Sequence, residues 1–357
     1  MKTHKHKISI QQIKVRQKKL ERLRKKSAEK KRQRNIQNNN RKKTFSEPKP
    51  QRNTHYKPPK QVKIIAKSDL SLLQFTENVL SFVKDIDTAI SKNKYKIVIL
   101  DMTQVLNIDI GCISILLSKI NKLTQKNIQT ICNLPTESNC KKMFFESGFS
   151  DHMRDLQGRK IIYSRTNQNL MVNRGFDKTS NEKVGLAIRN SVKHLTGVEN
   201  SFRPLYSISQ EMCANSVEHA NQQNKNWLFS VWYKNENEVC FTMTDIGSGI
   251  LGTLKRKFSQ KITESLLTNS KEILCRAFEK KYTSATKDIN RNKGLPKIKN
   301  ISDEKYIKNL LVITNDVLLD FSDDTNSKIL NKKFDGTFYY WELNNNCINI
   351  WKNRKLS

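Results

Sequence analysis

The chain has 357 residues and a formal net charge of +33, from 66 Lys and Arg against 33 Asp and Glu. This length allows two or three domains, each able to bury its own core. No apolar run approaches the roughly 20 residues that span a bilayer, and the charged start lacks the apolar segment of a signal peptide, so we expect a cytoplasmic protein without a membrane span.

Cysteine usage agrees with a reducing compartment. The seven cysteines form no Cys-x-x-Cys pair, and several lie in apolar runs. Such cysteines are typically reduced and buried, and their spacing does not predict a zinc site.

The basic excess is concentrated in residues 1–60, which hold 22 Lys and Arg against 3 Asp and Glu, a net charge of +19. Such a segment is too polar to build a core and predicts a disordered or transiently helical tail. It could bind nucleic acid or another polyanion in a salt-dependent way. Because Phe45 and Tyr56 are its only large aromatic residues that could stack on bases, a merely solvated tail stays an equal alternative.

Residues 61–156 alternate short strand patterns with helix patterns, which predicts a small α/β domain. The predicted strands include Ile64–Ile65, Ile97–Leu100 and Ile128–Asn133, and the predicted helices lie at Leu70–Ile90, Ile113–Ile120 and Lys141–Phe149.

Two stretches of this domain, Ile97–Cys112 and Phe144–Phe149, resemble a STAS domain, the fold of anti-sigma-factor antagonists. The resemblance implies a protein partner. That family usually has Asp-Ser-Ser-Gly at the start of the central helix, where a serine accepts phosphate. This chain has Asp109-Ile110-Gly111-Cys112 instead. We therefore expect a docking or dimerising module, with Ser114 on an apolar helix face and not phosphorylated.

A linker is predicted at residues 157–180, followed by a larger domain at residues 181–351. Its helix patterns lie at Val184–Leu195, Phe202–Ala220 and Lys271–Lys280. Its strand patterns lie at Trp227–Tyr233, Glu238–Thr244, Leu310–Thr314 and Phe338–Leu343, and the first two read as a hairpin.

Two motifs in this domain carry chemistry. Glu211 and Asn215 are spaced i and i+4, with His219 one turn further, so their polar side chains share one helical stripe. About thirty residues later, a strand pattern ends in Asp245-Ile246-Gly247-Ser248-Gly249, where glycines let backbone approach a ligand closely. Together they resemble the N and G1 boxes of the GHKL superfamily, which includes DNA gyrase, chaperone ATPases, histidine kinases and anti-sigma-factor kinases.

The resemblance implies an α/β sandwich, a mixed sheet with helices on one face, that binds ATP and Mg²⁺. It implies that Glu211 is the general base and that Asn215 holds the metal, with His219 near the phosphates. Asp245 would accept a hydrogen bond from the adenine amino group, supported by Thr337.

The same resemblance assigns the remaining ligand contacts. Gly247 and Gly249 would let the adenine lie against the backbone. Lys293 and Gly294 fall where the family has its lid motif. The lid match is poor, because only Gly294 is kept and Pro296 follows it, so basic residues such as Lys297 would offset the lost backbone contacts.

Three functions follow as alternatives. The first is a regulator with slow Mg-dependent ATPase or protein serine kinase activity that acts in partner switching. The second is a nucleotide-gated binding module without turnover. The third is a nucleic-acid-associated ATPase anchored by residues 1–60. The sequence does not identify the protein partner, and a homodimer stays open.

Overall fold

The computed structural model describes residues 21–33, 59–92, 94–155, 157, 159, 161, 170–175, 181–219, 227–257, 269–279 and 294–356. The chain divides into two units, Met1–Pro58 and Pro59–Ser357. In the first unit, residues 21–33 form helix α1, and every described residue of it is exposed. The helical alternative for the basic tail therefore applies to these residues, whose Arg, Lys, Leu, Ala and Glu are good helix formers. The rest of the tail lies outside the described residues.

The second unit begins with a three-stranded parallel sheet in the order β1-β3-β5. Its strands are β1 (Gln61–Ile65), β3 (Ile97–Asp101) and β5 (Gln129–Asn133), with a short parallel pair β2 (Asp69–Leu70) and β4 (Asn107–Ile108) beside them. The helices are α2 (Thr76–Ser91), α3 (Ile110–Gln125) and α4 (Ser138–Glu146). This is the small α/β domain predicted from the alternating pattern.

A five-stranded sheet follows, in the order β6-β7-β8-β10-β9. Its strands are β6 (Leu170–Gly175), β7 (Trp227–Asn235), β8 (Glu238–Asp245), β9 (Lys308–Asp320) and β10 (Lys328–Asn344). The helices are α5 (Asn181–Thr196), α6 (Arg203–His219), α7 (Gly249–Lys257), α8 (Ser270–Phe278), α9 (Gly294–Asp303) and α10 (Asn345–Leu356).

The α/β class is as predicted, but the expected mixed sheet is wrong for the described strands. All four described pairings of this sheet are antiparallel. Two of them are hairpins with short connections, β7 to β8 and β9 to β10, and such connections can join only antiparallel neighbours. Part of the predicted linker at 157–180 is also a strand, because β6 pairs with β7 as the edge of the sheet.

Helices cover both faces of the five-stranded sheet, not one face as expected. Side chains along each strand alternate between two cores, as the period of two requires. One core is shared with the helices of the larger domain and includes Trp227, Phe229, Phe241, Val312 and Trp341. The other is shared with the STAS-like domain and includes Leu228, Cys240, Ile313, Phe338 and Tyr340. Helix α3 packs on β7 and β8, and α2 packs on β10.

The contact between α3 and the sheet is close and contains buried polar groups. Ser114 Oγ lies 3.1 Å from Ser230 Oγ and 2.7 Å from Thr242 Oγ1, and all three residues are fully buried. Lys119 is also fully buried and donates to Asp87 Oδ2 at 2.6 Å. A buried charge needs such a partner, because an unpaired one would be strongly destabilising.

A glycine allows the start of α3 to approach the sheet. A Cβ at Gly111 would lie 2.9 Å from Leu72 Cδ2 and 3.0 Å from Phe338 Cζ. Both distances are shorter than normal van der Waals contact, so a side chain here would push α3 away from β10.

None of the described helices is both long and apolar enough to cross a membrane. The seven cysteines are free, and all but the half-buried Cys275 are buried.

Candidate functional site

Helix α6 places the predicted acid and amide side by side. Its apolar residues, among them Ile208 and Met212, are buried in the core against the sheet. Glu211 and Asn215 are half-buried, one helical turn apart. The helix therefore fixes both side chains while leaving them partly open to solvent.

Helix α9 brings Gly294 against this pair. A Cβ at Gly294 would lie 3.0 Å from Glu211 Oε2 and within 3.8 Å of both polar atoms of Asn215. On the next turn, Lys297 Nζ donates to Glu211 Oε1 at 3.0 Å. The lid glycine predicted from sequence thus lies beside the predicted base, and a lysine holds that base in an ion pair.

Asp245 ends strand β8 next to the same helix. Ser216, which follows Asn215 in α6, donates to Asp245 Oδ2 at 3.3 Å. Burial raises the pKa of Asp245 to about 6, although hydrogen bonds from Ser216, Thr337 and the Gly247 backbone oppose the shift. The side chain is half-buried, and it is held in place as an acceptor by these protein donors. A perturbed pKa of this kind is common at functional sites.

Strand β10 supplies the partner of Asp245. Thr337 is directly opposite Asp245 in the antiparallel register and is buried. Gly336, with φ of +138°, precedes it, and a Cβ there would lie 2.0 Å from the Asp245 carbonyl oxygen. Only glycine allows this approach. The Gly-Thr pair therefore fixes the position of the Asp245 backbone and side chain.

The second glycine of the motif has a packing role that the sequence did not indicate. Gly249 has φ of +70°, and a Cβ there would lie 2.3 Å from Asn315 Oδ1. Asn315 and the neighbouring Thr314 accept hydrogen bonds from the first amides of α7, at 2.9 Å for Ile250 and 3.1 Å for Leu251. Their signal in the sequence is a Thr-Asn pair that follows an apolar strand.

The structure thus brings together Glu211, Asn215 and Gly294, and links them through Ser216 to Asp245, Gly247 and Thr337. Gly249 adjoins Asn315 at the start of α7. Lys293 and the side chain of His219 lie outside the described residues.

A surface depression of about 490 Å³ lies elsewhere, lined by Asn190, Lys193, His194, Gly197 and Tyr233. It shares no residue with the Glu211–Asp245 cluster and contains no carboxylate. The Glu211–Asp245 cluster, which combines an acid, an amide and a second carboxylate, is therefore the candidate functional site.

The start of α3 is the place where the STAS family usually has two serines and this chain has Ile110 and Gly111. Asp109 caps this helix through the Cys112 amide, and its other oxygen accepts from Ser71 at 2.7 Å and from the Leu73 amide at 2.9 Å. Burial raises the pKa of Asp109. The next residues, Ile110 and Gly111, are buried and carry no hydroxyl. The start of α3 is therefore a buried, hydrogen-bonded contact.

Comparison with known proteins gives one family. Residues 74–163 match the STAS domain model, and no curated protein matches the chain. The matched segment is about a quarter of the chain and ends before residues 181–351. The chain therefore contains a STAS domain whose central helix is packed on the sheet that carries Asp245 and Thr337.

Proposed function

We propose that residues 181–351 bind ATP with Mg²⁺ and that the chain is an ATP-dependent regulator acting through protein contacts. The observation that carries the proposal is the convergence of Glu211, Asn215 and Gly294 with Asp245 and Thr337, from four separate elements. An acid, an amide and a half-buried acceptor at these places are the groups that a purine and a phosphate chain need.

The adenine would be recognised by Asp245. Its carboxylate accepts from Ser216 and Thr337 and lies at a strand end where Gly247 adds no side chain. An exocyclic amino group is a donor that such a half-buried carboxylate can bind. A hydrogen bond to a charged group contributes more than one between neutral groups.

Mg²⁺ fits the donor set. The ion keeps mostly water and phosphate oxygens, so it needs few protein ligands. The amide oxygen of Asn215, beside the Glu211 carboxylate, would supply one, and the bound ion would neutralise part of the phosphate charge.

Glu211 is the candidate general base. It would take a proton from water, or from a hydroxyl of a partner protein, as that oxygen bonds to the γ-phosphorus. The bond from the γ-phosphorus to the bridging oxygen then breaks, and ADP leaves with its electrons.

The STAS domain would contribute contacts. Its central helix is fixed on the chain's own sheet by Ser114 and Gly111. A partner protein would therefore bind to surfaces that this packing leaves free, without phosphate on α3.

A second candidate is a binding module that uses ATP only as a ligand. The ion pair between Lys297 and Glu211 favours it, because one oxygen of the carboxylate already accepts from a lysine at 3.0 Å and is not open to an attacking water.

The test is calorimetric titration of the full chain with ATP and Mg²⁺. We expect the wild type to bind, and Asp245→Asn to lose about 10-fold or more in affinity, the usual effect of removing a charged hydrogen-bond acceptor from a ligand contact. Asp85→Asn, at an exposed position of α2, is the matched control and should bind like the wild type. The absence of any heat with the wild type would contradict the proposal.

A further inference from the structure

Lys297 occupies a position that the adenine and metal contacts leave unexplained. It lies three residues after Gly294 on α9, so both face α6. Its ammonium group is 3.0 Å from Glu211 Oε1. Glu211 Oε2, the other carboxylate oxygen, would lie 3.0 Å from a Cβ at Gly294. The lysine thus reaches the place where the phosphate chain would enter, beside Asn215.

The ion pair is weak enough to exchange. The side chains of Lys297 and Glu211 are 42% and 34% exposed. Pairs this open to solvent contribute little to stability. A triphosphate carries several negative charges and many acceptor oxygens, so an ammonium group gains more from it than from one carboxylate.

The neighbouring lysine on the same helix provides a contrast. Lys299 donates to Asp303 at 2.6 Å, within α9 itself. It makes an ion pair of the same kind, but with a partner that takes no part in the site. The two lysines carry the same charge on the same helix, and they differ in the partner that each side chain reaches.

We propose that Lys297 changes partner when nucleotide binds, from the carboxylate of Glu211 to the β- and γ-phosphates. The proposal rests on ATP binding at this site. Without nucleotide, Lys297 holds Glu211 and keeps the base paired. With nucleotide, the phosphates take the ammonium group and release the carboxylate for its proton-accepting role.

This exchange explains how Glu211 can be paired with Lys297 in the free protein and still act as a base when ATP is bound. The base becomes free only when its substrate is present. Lys297 is a phosphate-binding residue and, through Glu211, a positioning residue.

The experiment compares ATP with AMP, which lacks the β- and γ-phosphates, by calorimetry on the full chain with Mg²⁺. Lys297→Met should lower ATP affinity about 10-fold or more, the effect of losing a charge-assisted hydrogen bond. It should leave AMP affinity unchanged, which also shows that the variant is folded. Lys299→Met is the matched control and should change neither affinity.

Glu211→Gln supplies an independent readout. It frees Lys297 in advance, so ATP should bind about 2- to 5-fold more tightly, since an exposed ion pair no longer has to be broken. Turnover should be lost. The double variant Glu211→Gln with Lys297→Met should bind ATP like Lys297→Met alone.

Two results would overturn the exchange and can be told apart. If the wild type binds ATP and Lys297→Met binds it equally well, the exchange is wrong while ATP binding stands. If the wild type does not bind ATP at all, the proposed function is wrong and the exchange fails with it.

Discussion

The carboxylate of Asp245 is a half-buried acid held in place by several donors. Burial raises its pKa to about 6 from an ordinary value of 3.8. A folded chain with a raised acid pKa binds more protons than the unfolded chain between these values. Its free energy of unfolding therefore falls as pH rises from about 4 to 6, and the cost of the charged form remains above that.

Asp245→Asn should remove this cost. We expect the variant to gain stability over the wild type as pH increases, by up to about 3 kcal/mol between pH 4 and pH 7.5. Urea unfolding at the two pH values measures the difference. A stability gap that does not change with pH would show that burial does not control this acid. Loss of ligand binding with gain of stability is typical of a functional residue.

For single residues, the sequence predicted those site positions that depend only on neighbouring residues in the chain. Glu211 and Asn215 meet because they are one helical turn apart, and Asp245 was found because glycines mark a strand end. Asn315 was not predicted. Its role depends on β9 lying beside α7 and on a left-handed backbone with φ of 55°, and neither follows from nearby residues.

Helix α3 carries the contact between the STAS domain and the five-stranded sheet. Ser114→Ala should destabilise the chain by about 1–3 kcal/mol, because it removes the partner of the buried hydroxyl of Thr242. Ser118→Ala is the matched control on the same helix. Its hydroxyl donates to the Ser114 carbonyl of the same helix, so its loss should cost less than about 1 kcal/mol.

Denaturant unfolding of both variants measures the two effects. Equal losses would mean that the hydroxyl cluster does not hold the interface.

The sequence predicted most strands of the five-stranded sheet, but it did not predict that helices cover both faces of it. Strand β8 reads as a continuous run of apolar residues and threonines, which fits burial on both faces. The pattern does not say what covers the second face. Strand β6 was missed because an edge strand with three apolar residues carries little periodic signal. The expected mixed sheet came from the resemblance, whereas the short hairpin turns required antiparallel pairs.

The second unit, Pro59–Ser357, should unfold as one body. Its two cores share a sheet, and neighbouring residues such as Cys240 and Phe241 belong to different cores. Loss of either core would therefore expose one face of the same strands to water.

Scanning calorimetry should give one transition for this unit, with the calorimetric enthalpy equal to the van't Hoff enthalpy. Two separated transitions would mean that the STAS domain and the larger domain fold independently. The sequence favoured separate domains with a linker at 157–180, because contacts between distant segments leave no local pattern.

The close contact at Gly111 also limits how this chain can evolve. A serine there would need Leu72 and Phe338 to shift before its hydroxyl found room. A phosphate on that serine would place negative charge between two apolar side chains next to Thr337. A single Gly111→Ser substitution would therefore not give this helix start an accessible phosphate acceptor.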